Sequence, residues 1–194
     1  MLPKFSRLLA ITFILLAVEG NLISQSKYEV EHHIRSADVP LKALKLVETL
    51  PLRGKVKWFY EENLKGNSFE AKNKSDHHRY SIEFDTMGNF LDIEIDIRWK
   101  QVDTMVQTKI QEDLSERFEF SKFRKIQIQY SDPSHLPIVV GKGSIKFNLP
   151  HRYEIVLEGK KNNLYQLFEV TYDQHGKWIK SYDILPGNSD ILEY

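Results

Sequence analysis

Five carboxylates alternate with apolar residues between Tyr80 and Ile97, and their spacing makes them the first candidates for chemistry in this sequence. They are Glu83, Asp85, Asp92, Glu94 and Asp96. Strict alternation of apolar and polar residues on both sides of Gly88 predicts a β-hairpin with one apolar and one polar face. All five carboxylates share the polar face. Such a patch suits a basic partner or a weakly held Ca²⁺, or it simply keeps a sheet soluble. Acid–base catalysis also needs a cleft and a raised pKa, so carboxylates on an open, hydrated sheet are not predicted to be catalytic.

Histidine spacing does not indicate a metal site. The sequence has 7 histidines, of which His77 and His78 are adjacent in a polar stretch and His32 and His33 are adjacent near the N-terminus. Neither pair has the i, i+4 spacing by which helical histidines hold zinc. We therefore predict no metal and no cofactor.

Covalent catalysis lacks its usual residues. There is no Cys, which also excludes disulfides and thiolate metal sites, and no G-x-S-x-G elbow. Gly141-Lys142-Gly143-Ser144 resembles part of a phosphate-binding loop, but the earlier glycine of that motif is missing and a strand-like run follows. The sequence therefore predicts a protein that is not an enzyme.

Charge and the N-terminal residues indicate an exported protein. Lys and Arg number 27 and so do Asp and Glu, so the broad basic surface of a nucleic-acid-binding protein is absent. Residues 1–20 carry Lys4 and Arg7 before an apolar run, which is typical of a secretory signal peptide cleaved after Gly20. The run is too short for an ordinary membrane span. We predict a secreted or periplasmic protein with no stable membrane insertion after cleavage.

A turn motif occurs twice with a constant offset. The two copies are Phe84-Asp85-x-x-Gly88-x-Phe90 and Tyr172-Asp173-x-x-Gly176-x-Trp178, and 173 − 85 = 176 − 88 = 88 residues. Aspartate can accept hydrogen bonds from the turn's N–H groups, and glycine supplies the positive φ at which the next strand starts. The repeat predicts a duplicated unit.

The elements around these turns predict two similar halves. A helix follows Pro40, and a second helix begins at Trp99 with an apolar stripe that includes Val106 and Ile110. Each half then reads helix, strand, strand, hairpin. The predicted fold class is α+β, with two tandem repeats forming one antiparallel sheet of roughly eight strands and helices on one face. The predicted segments are a flexible lead-in at 21–36, repeats at 37–98 and 99–185, an insertion at 131–150 and a tail at 186–194.

Exposed aromatic residues complete the candidate binding surface. Phe59 alternates with Trp58 and Tyr60, so either Phe59 or the other two must face outward, and one of the adjacent Trp178 and Ile179 must do so as well. Exposed aromatic rings suit a protein-binding surface. The predicted partner-binding residues are Phe59, Glu83, Asp92, Glu94, Asp96 and Trp178.

The pattern of aromatics and turns resembles a known family. The Trp58-Phe59 strand after a short helix, the paired Asp-x-x-Gly turns, Trp99 at the second helix and the final Trp178 hairpin are similar to the secreted bacterial PepSY-like proteins. Their fold is similar to that of the β-lactamase inhibitor protein (BLIP). The resemblance covers about residues 37–184, and it implies an exported module that binds or inhibits another protein.

Two functions follow as hypotheses. The first is a non-enzymatic module that presents its exposed sheet face, with the 131–150 insertion at the rim, to another exported or envelope protein. The alternative is a periplasmic carrier or sensor of small ligands, with an apolar pocket between sheet and helices lined by Trp58, Trp99 and Trp178. An open sheet with exposed aromatics favours the first, and a closed cavity favours the second.

Overall fold

The structure is a computed structural model that describes residues 25–64, 66–75, 77–140 and 145–185. These residues form ten β-strands and three short α-helices. The strands are β1 (Gln25–Lys27), β2 (Glu29–Ile34), β3 (Val56–Asn63), β4 (Gly66–Ser75), β5 (His78–Asp85), β6 (Phe90–Asp96), β7 (Phe120–Tyr130), β8 (Arg152–Lys161), β9 (Leu164–Asp173) and β10 (Trp178–Ile184). The helices are α1 (Leu41–Thr49), α2 (Thr104–Arg117) and α3 (Leu136–Val139). The predicted signal peptide and C-terminal tail lie outside these residues.

All ten strands belong to one sheet that closes nearly into a barrel. The strand order is β1-β10-β9-β8-β7-β6-β5-β4-β3-β2, so β1 and β2 lie at opposite ends of the sheet. Only Tyr28 separates these two strands along the chain. β1 pairs in parallel with β10, while β2 pairs antiparallel with β3. One continuous stretch of backbone therefore joins the two edges, and we call the result the near-barrel.

The predicted fold class is wrong. The described residues are mostly β, in a curved sheet of ten strands with three short helices, rather than an α+β arrangement of eight strands with helices on one face. Part of the difference lies at 25–34, predicted to be a flexible lead-in, where β1 and β2 form. Polar and apolar residues alternate only weakly in this stretch, because two histidines are adjacent in it. Its pairing depends on two distant strands, and local pattern does not report such partners.

The outer face of the near-barrel is apolar and carries the core. Alternate residues of β5 to β9 are buried there, and the sheet packs against the apolar stripes of α1 and α2. In α1 the stripe includes Ala43 and Val47, and in α2 it includes Val106, Ile110 and Leu114. Period two in the strands and period 3.6 in the helices bring these sets together. The helical stripes and the hairpin at 80–97 are confirmed, but α2 begins at Thr104, after its N-cap Asp103, rather than at Trp99.

The two repeated turns have the same hydrogen bonds. Asp85 Oδ1 accepts from the N–H groups of Met87 and Asn89 at 2.9 and 2.8 Å. Asp173 Oδ1 accepts in the same way from the N–H groups of His175 and Lys177, at 2.8 and 2.9 Å. Gly88 and Gly176 have φ values of 77° and 79°. A Cβ on Gly88 would lie 2.9 Å from Pro40 Cβ beside α1, and one on Gly176 would lie 3.1 Å from a carbonyl oxygen of α2.

The predicted insertion at 131–150 contains the short helix α3. Asp132 accepts a hydrogen bond from Ser134 N at 2.9 Å and so begins the helical turn. Leu136 and Val139 are buried in the core, and Tyr130 donates its hydroxyl to the carbonyl of Lys146 at 3.1 Å. The part of the insertion that the structure describes is therefore packed against the protein. Residues 141–144 lie outside the described ranges.

Gly159 fixes the packing at one end of β8, and Gly159→Ala is expected to destabilise the fold by about 1–3 kcal/mol through overpacking. A Cβ there would meet Phe118 at 2.7 Å and Phe168 at 2.9 Å, and these two rings already contact each other with centroids 4.7 Å apart. Urea denaturation measures the loss. Adding Phe118→Leu should recover part of it, and an undiminished loss in the double variant would contradict the steric explanation.

Candidate functional site

The polar face of the sheet encloses a highly charged interior. A cavity of about 90 Å³ is lined from β1 to β9 by nine carboxylates and three lysines. The carboxylates are Glu29, Glu31, Glu61, Glu70, Glu83, Asp92, Glu94, Glu154 and Glu169, and the lysines are Lys27, Lys72 and Lys125. We call this set the carboxylate interior. Its volume is too small for an organic ligand of ordinary size.

Lys72 holds two of these carboxylates at one side of the interior. Its ammonium lies 2.6 Å from both oxygens of Glu31 and 3.0 Å from Glu70 Oε2. Oxygens of Glu31, Glu61 and Glu70 lie within 4.8 Å of one another, a spacing that could hold a metal ion. Because the lysine ammonium already supplies the positive charge there, the cluster gives no reason to assign a metal.

Lys27 holds the carboxylates on the other side. Its ammonium lies 2.5 Å from Glu169, 3.2 Å from Glu29 and 3.9 Å from Glu154. Burial would lower the pKa of Lys27, but the charges of Glu169, Glu154 and Glu29 outweigh burial and raise that pKa well above its ordinary value. Lys27 therefore keeps its charge and neutralises this part of the interior.

Burial raises the pKa of most carboxyl groups in the interior. The pKa of Glu61 rises to about 10 through burial and the neighbouring charge of Glu70. Burial likewise raises the pKa to about 7 for four further groups, with further contributions from nearby charges. They are Glu70, Glu83, Glu94 and Glu169. Burial and the adjacent Glu94 raise the pKa of Asp92 as well. The interior thus holds several protons near neutral pH, and the four groups with a pKa of about 7 would release theirs in mildly alkaline solution.

The predicted binding carboxylates face this enclosed interior, not open solvent. Glu83, Asp92 and Glu94 line the same cavity, while Asp96 lies farther along β6 with Arg79 at 3.9 Å. Phe59 is on the same face, where Lys72 Nζ lies 4.9 Å from its ring centroid. Alternation correctly identified the residues that share a face, but it carries no information on curvature, and the sheet curls that face inward.

The three tryptophans lie in separate places. Trp58 is buried against Phe84, with ring centroids 5.9 Å apart, and Trp99 contacts Phe123 at 4.8 Å. Trp178 packs against the core on the outer face, where the Arg117 guanidinium covers its ring at 4.4 Å. Trp178 is therefore on the opposite face from the other predicted binding residues. Among the described residues, each tryptophan thus has a different ring or cation partner, and none of these contacts joins two tryptophans.

One end of the near-barrel has the opposite charge. A cavity of about 320 Å³ is lined there by six cationic side chains and one carboxylate, Asp96. The cations are Lys55, Lys57, Lys72, Lys74, Arg79 and Lys125. We call this set the basic mouth. Sequence reasoning missed it because net charge balances over the whole chain. Lys55-x-Lys57, which runs into β3, and Lys72-x-Lys74 in the neighbouring β4 were nevertheless a usable signal, since alternation along a strand puts both members of such a pair on one face.

The strands β7, β8 and β9 continue beyond their neighbours. Residues 120–125 of β7 pair with β8 on one side, and within the described residues no strand pairs with them on the other, because β6 pairs only with 127–130. We call residues 120–125, 157–161 and 164–167 the extension. Phe120 and Tyr165 are 46% and 60% exposed on it, with ring centroids 6.1 Å apart. A groove of about 340 Å³ separates α2 from the unpaired edge and is lined by Leu114, Phe118 and Phe123 among others.

The near-barrel with helices on its apolar outer face is a BLIP-like fold. A DUF2874 family protein from Bacteroides ovatus has a TM-score of 0.52 and 13% identity, and the match covers 80% of this chain and 94% of that one. A BLIP-like protein from Bacteroides fragilis has a TM-score of 0.50 and 16% identity, over 77% and 90% of the two chains. A Bacteroides eggerthii protein described as periplasmic has a TM-score of 0.54 and 10% identity, over 79% and 94%. At these identities the likeness shows the fold alone.

No protein-family model and no curated protein sequence matches the chain. The longest helix in the ranges that the structure describes, α2, has 14 residues and a polar side. None of the described helices is long and apolar enough to cross a bilayer.

Proposed function

We propose that the chain is an exported, non-enzymatic binding protein whose partner is another exported or envelope protein. The signal-peptide pattern of residues 1–20 and the fold shared with a BLIP-like protein and with a protein described as periplasmic support export and binding. An inhibitory role is one form that this binding could take. The partner surface, however, is not the inward-facing polar side of the sheet.

The observation that carries the proposal is the extension. Phe120 and Tyr165 expose large aromatic surface that the fold itself does not bury. Beside them, the edge of β7 along residues 120–125 has no paired strand among the described residues, and a groove lined by both polar and apolar side chains lies next to it. Natural proteins normally protect such edges, and an extended segment of a partner binds them by adding a strand. Exposed aromatic rings beside the edge then supply most of the binding energy.

The double variant Phe120→Ser/Tyr165→Ser is expected to lose partner binding. The full chain is immobilised, a native envelope extract is passed over it, and bound proteins are identified and quantified. We expect the variant to recover its partner at least about tenfold less, because aromatic hot spots contribute about 2 kcal/mol or more each. Its melting temperature should stay close to that of the original chain, since both side chains are exposed.

The matched control is Met87→Ser/Met105→Ser. These two residues are 74% and 73% exposed and lie away from the extension, so the control removes comparable apolar surface. It should capture the partner as well as the original chain does. Equal capture by all three proteins, or equal loss in both variants, would refute a partner site on the extension.

We also infer that the chain is a PepSY-like tandem duplication. Identical hydrogen bonding at the Asp85 and Asp173 turns, and the contact of each turn's glycine with the helix of its own half, support that reading. Superposition of residues 80–97 on 164–184 tests it, since equivalent hairpins must match in backbone path through the whole turn.

A further inference from the structure

Strand register at the basic mouth places like charges directly opposite each other. Lys57 of β3 lies opposite Lys72 of β4, and Lys74 lies opposite Arg79 of β5. Both pairs are on the inner face, so three neighbouring strands contribute four adjacent cations. Like charges directly opposite each other in an antiparallel sheet destabilise it, whereas opposite charges would have stabilised it. The fold therefore tolerates an electrostatic cost at this position.

Neighbouring carboxylates relieve only part of the repulsion. Lys72 is paired with Glu31 and Glu70, and Arg79 lies 3.9 Å from Asp96. Lys55, Lys57 and Lys74 are exposed, and none of them has a carboxylate partner among the residues that the structure describes. Each of these three ammonium groups belongs to the wall of the same cavity. The mouth thus has a surplus of positive charge directed at an open space.

The size of that space indicates the kind of ligand. A cavity of about 320 Å³ matches the lower end of small-molecule sites. Ammonium and guanidinium groups from several strands form charge-assisted hydrogen bonds with phosphate and carboxylate oxygens. An anion bound there would replace repulsion between the strands by attraction to a shared centre.

We propose that the basic mouth binds a small multivalent anion that carries phosphate or carboxylate groups. The ammonium groups of Lys57 and Lys74 contact it from neighbouring strands, and Lys125 of β7 contributes from across the opening. This site goes beyond the proposed partner surface and does not depend on it, because it uses neither Phe120 nor Tyr165 and shares only Lys125, the last residue of the β7 part of the extension.

The test uses inorganic pyrophosphate and citrate as probes of the full chain at low ionic strength. Titration calorimetry should give saturable binding of at least one probe, and that probe should raise the melting temperature. Binding of pyrophosphate alone indicates a phosphate-bearing natural ligand, and binding of citrate alone indicates a carboxylate-bearing one. Binding should weaken as salt is added, because the lysines are exposed. If neither probe binds, the proposal is overturned.

The double variant Lys57→Gln/Lys74→Gln separates this site from general surface charge. We expect it to bind the anion at least about tenfold more weakly. Without anion it should melt about 2 °C higher or more, because both like-charge pairs are gone. The control Lys45→Gln/Lys100→Gln removes the same charge from exposed positions elsewhere and should bind as the original chain does. Equal weakening in both variants would overturn the proposal, and so would unchanged binding in the first.

Discussion

Replacing Lys27 by Met is expected to lower the free energy of unfolding by about 3–5 kcal/mol at pH 8, the range found when one partner of a buried ion pair is removed. The ammonium is the nearest positive charge to Glu169, at 2.5 Å, and it also lies close to Glu29 and Glu154. Without it, these carboxylates must either stay charged and unpaired or take up protons. Chemical denaturation of the variant measures the loss.

The loss should be smaller at pH 5. Burial and the charge of Glu154 raise the pKa of Glu169 to about 7, so Glu169 becomes neutral in mildly acidic solution, and burial raises the pKa of Glu154 as well. A neutral carboxyl group needs no ammonium beside it. Lys45→Met, on an exposed position of α1, serves as the control and should cost little at either pH. A loss for Lys27→Met that is the same at pH 5 and pH 8 would show that packing, not charge, explains it.

The whole protein is expected to be more stable at pH 5 than at pH 8, by about 3 kcal/mol or more. Four interior carboxyl groups, Glu70, Glu83, Glu94 and Glu169, have pKa values of about 7 in the folded protein, against an ordinary value of 4.5. Between these values the folded chain holds more protons than the unfolded chain. The stabilisation is therefore complete below pH 4.5 and is lost as the pH rises through 7. For a chain of this size, 3 kcal/mol corresponds to about 6–12 °C in melting temperature.

Surface carboxylates limit this trend at low pH. Hydrogen bonds lower the pKa of Asp38 beside Arg35, of Asp85 in its turn and of Asp132 at the start of its helical turn. Their stabilising contribution is present above their ordinary pKa and is lost as the pH falls through the folded value. The two trends together predict maximum stability near pH 5.

The variant Glu94→Gln/Glu169→Gln tests the source of the trend. Both substitutions keep the shape of the side chain and remove its titration, so the variant should gain stability at pH 8 and change little at pH 5. Calorimetric melting at several pH values distinguishes the two cases. A pH profile as steep as that of the original chain would show that these carboxyl groups do not control stability.

The structural features that depend on residues close together in sequence were predicted correctly. The carboxylates at Glu83, Asp92 and Glu94 alternate with apolar residues and do share one face, and Val106, Ile110 and Leu114 do form the buried stripe of α2. The turns at Asp85 and Asp173 form with the aspartate hydrogen bonds that their spacing indicates. Each of these features depends on residues within a few positions of each other.

Closure of the sheet could not be predicted in the same way. It depends on β1 and β2, which pair with strands far away in sequence and carry no strong alternation of their own. In a sheet that stayed open, the polar face would be solvated, and its carboxyl groups would have ordinary pKa values. The carboxylate interior therefore arises from tertiary structure that the sequence pattern does not report. The same is true of the basic mouth, where Lys57 and Lys74 lie close together.

The backbone link through Tyr28 also orders the steps of folding. Gln25 pairs with Tyr182, and 182 − 25 = 157 residues separate them along the chain. A chain is synthesised from its N-terminus, so the first strand to leave the ribosome waits for the last before it finds its partner. Until then the edges of the sheet stay unpaired, and unpaired strand edges are the sites at which incompletely folded chains associate.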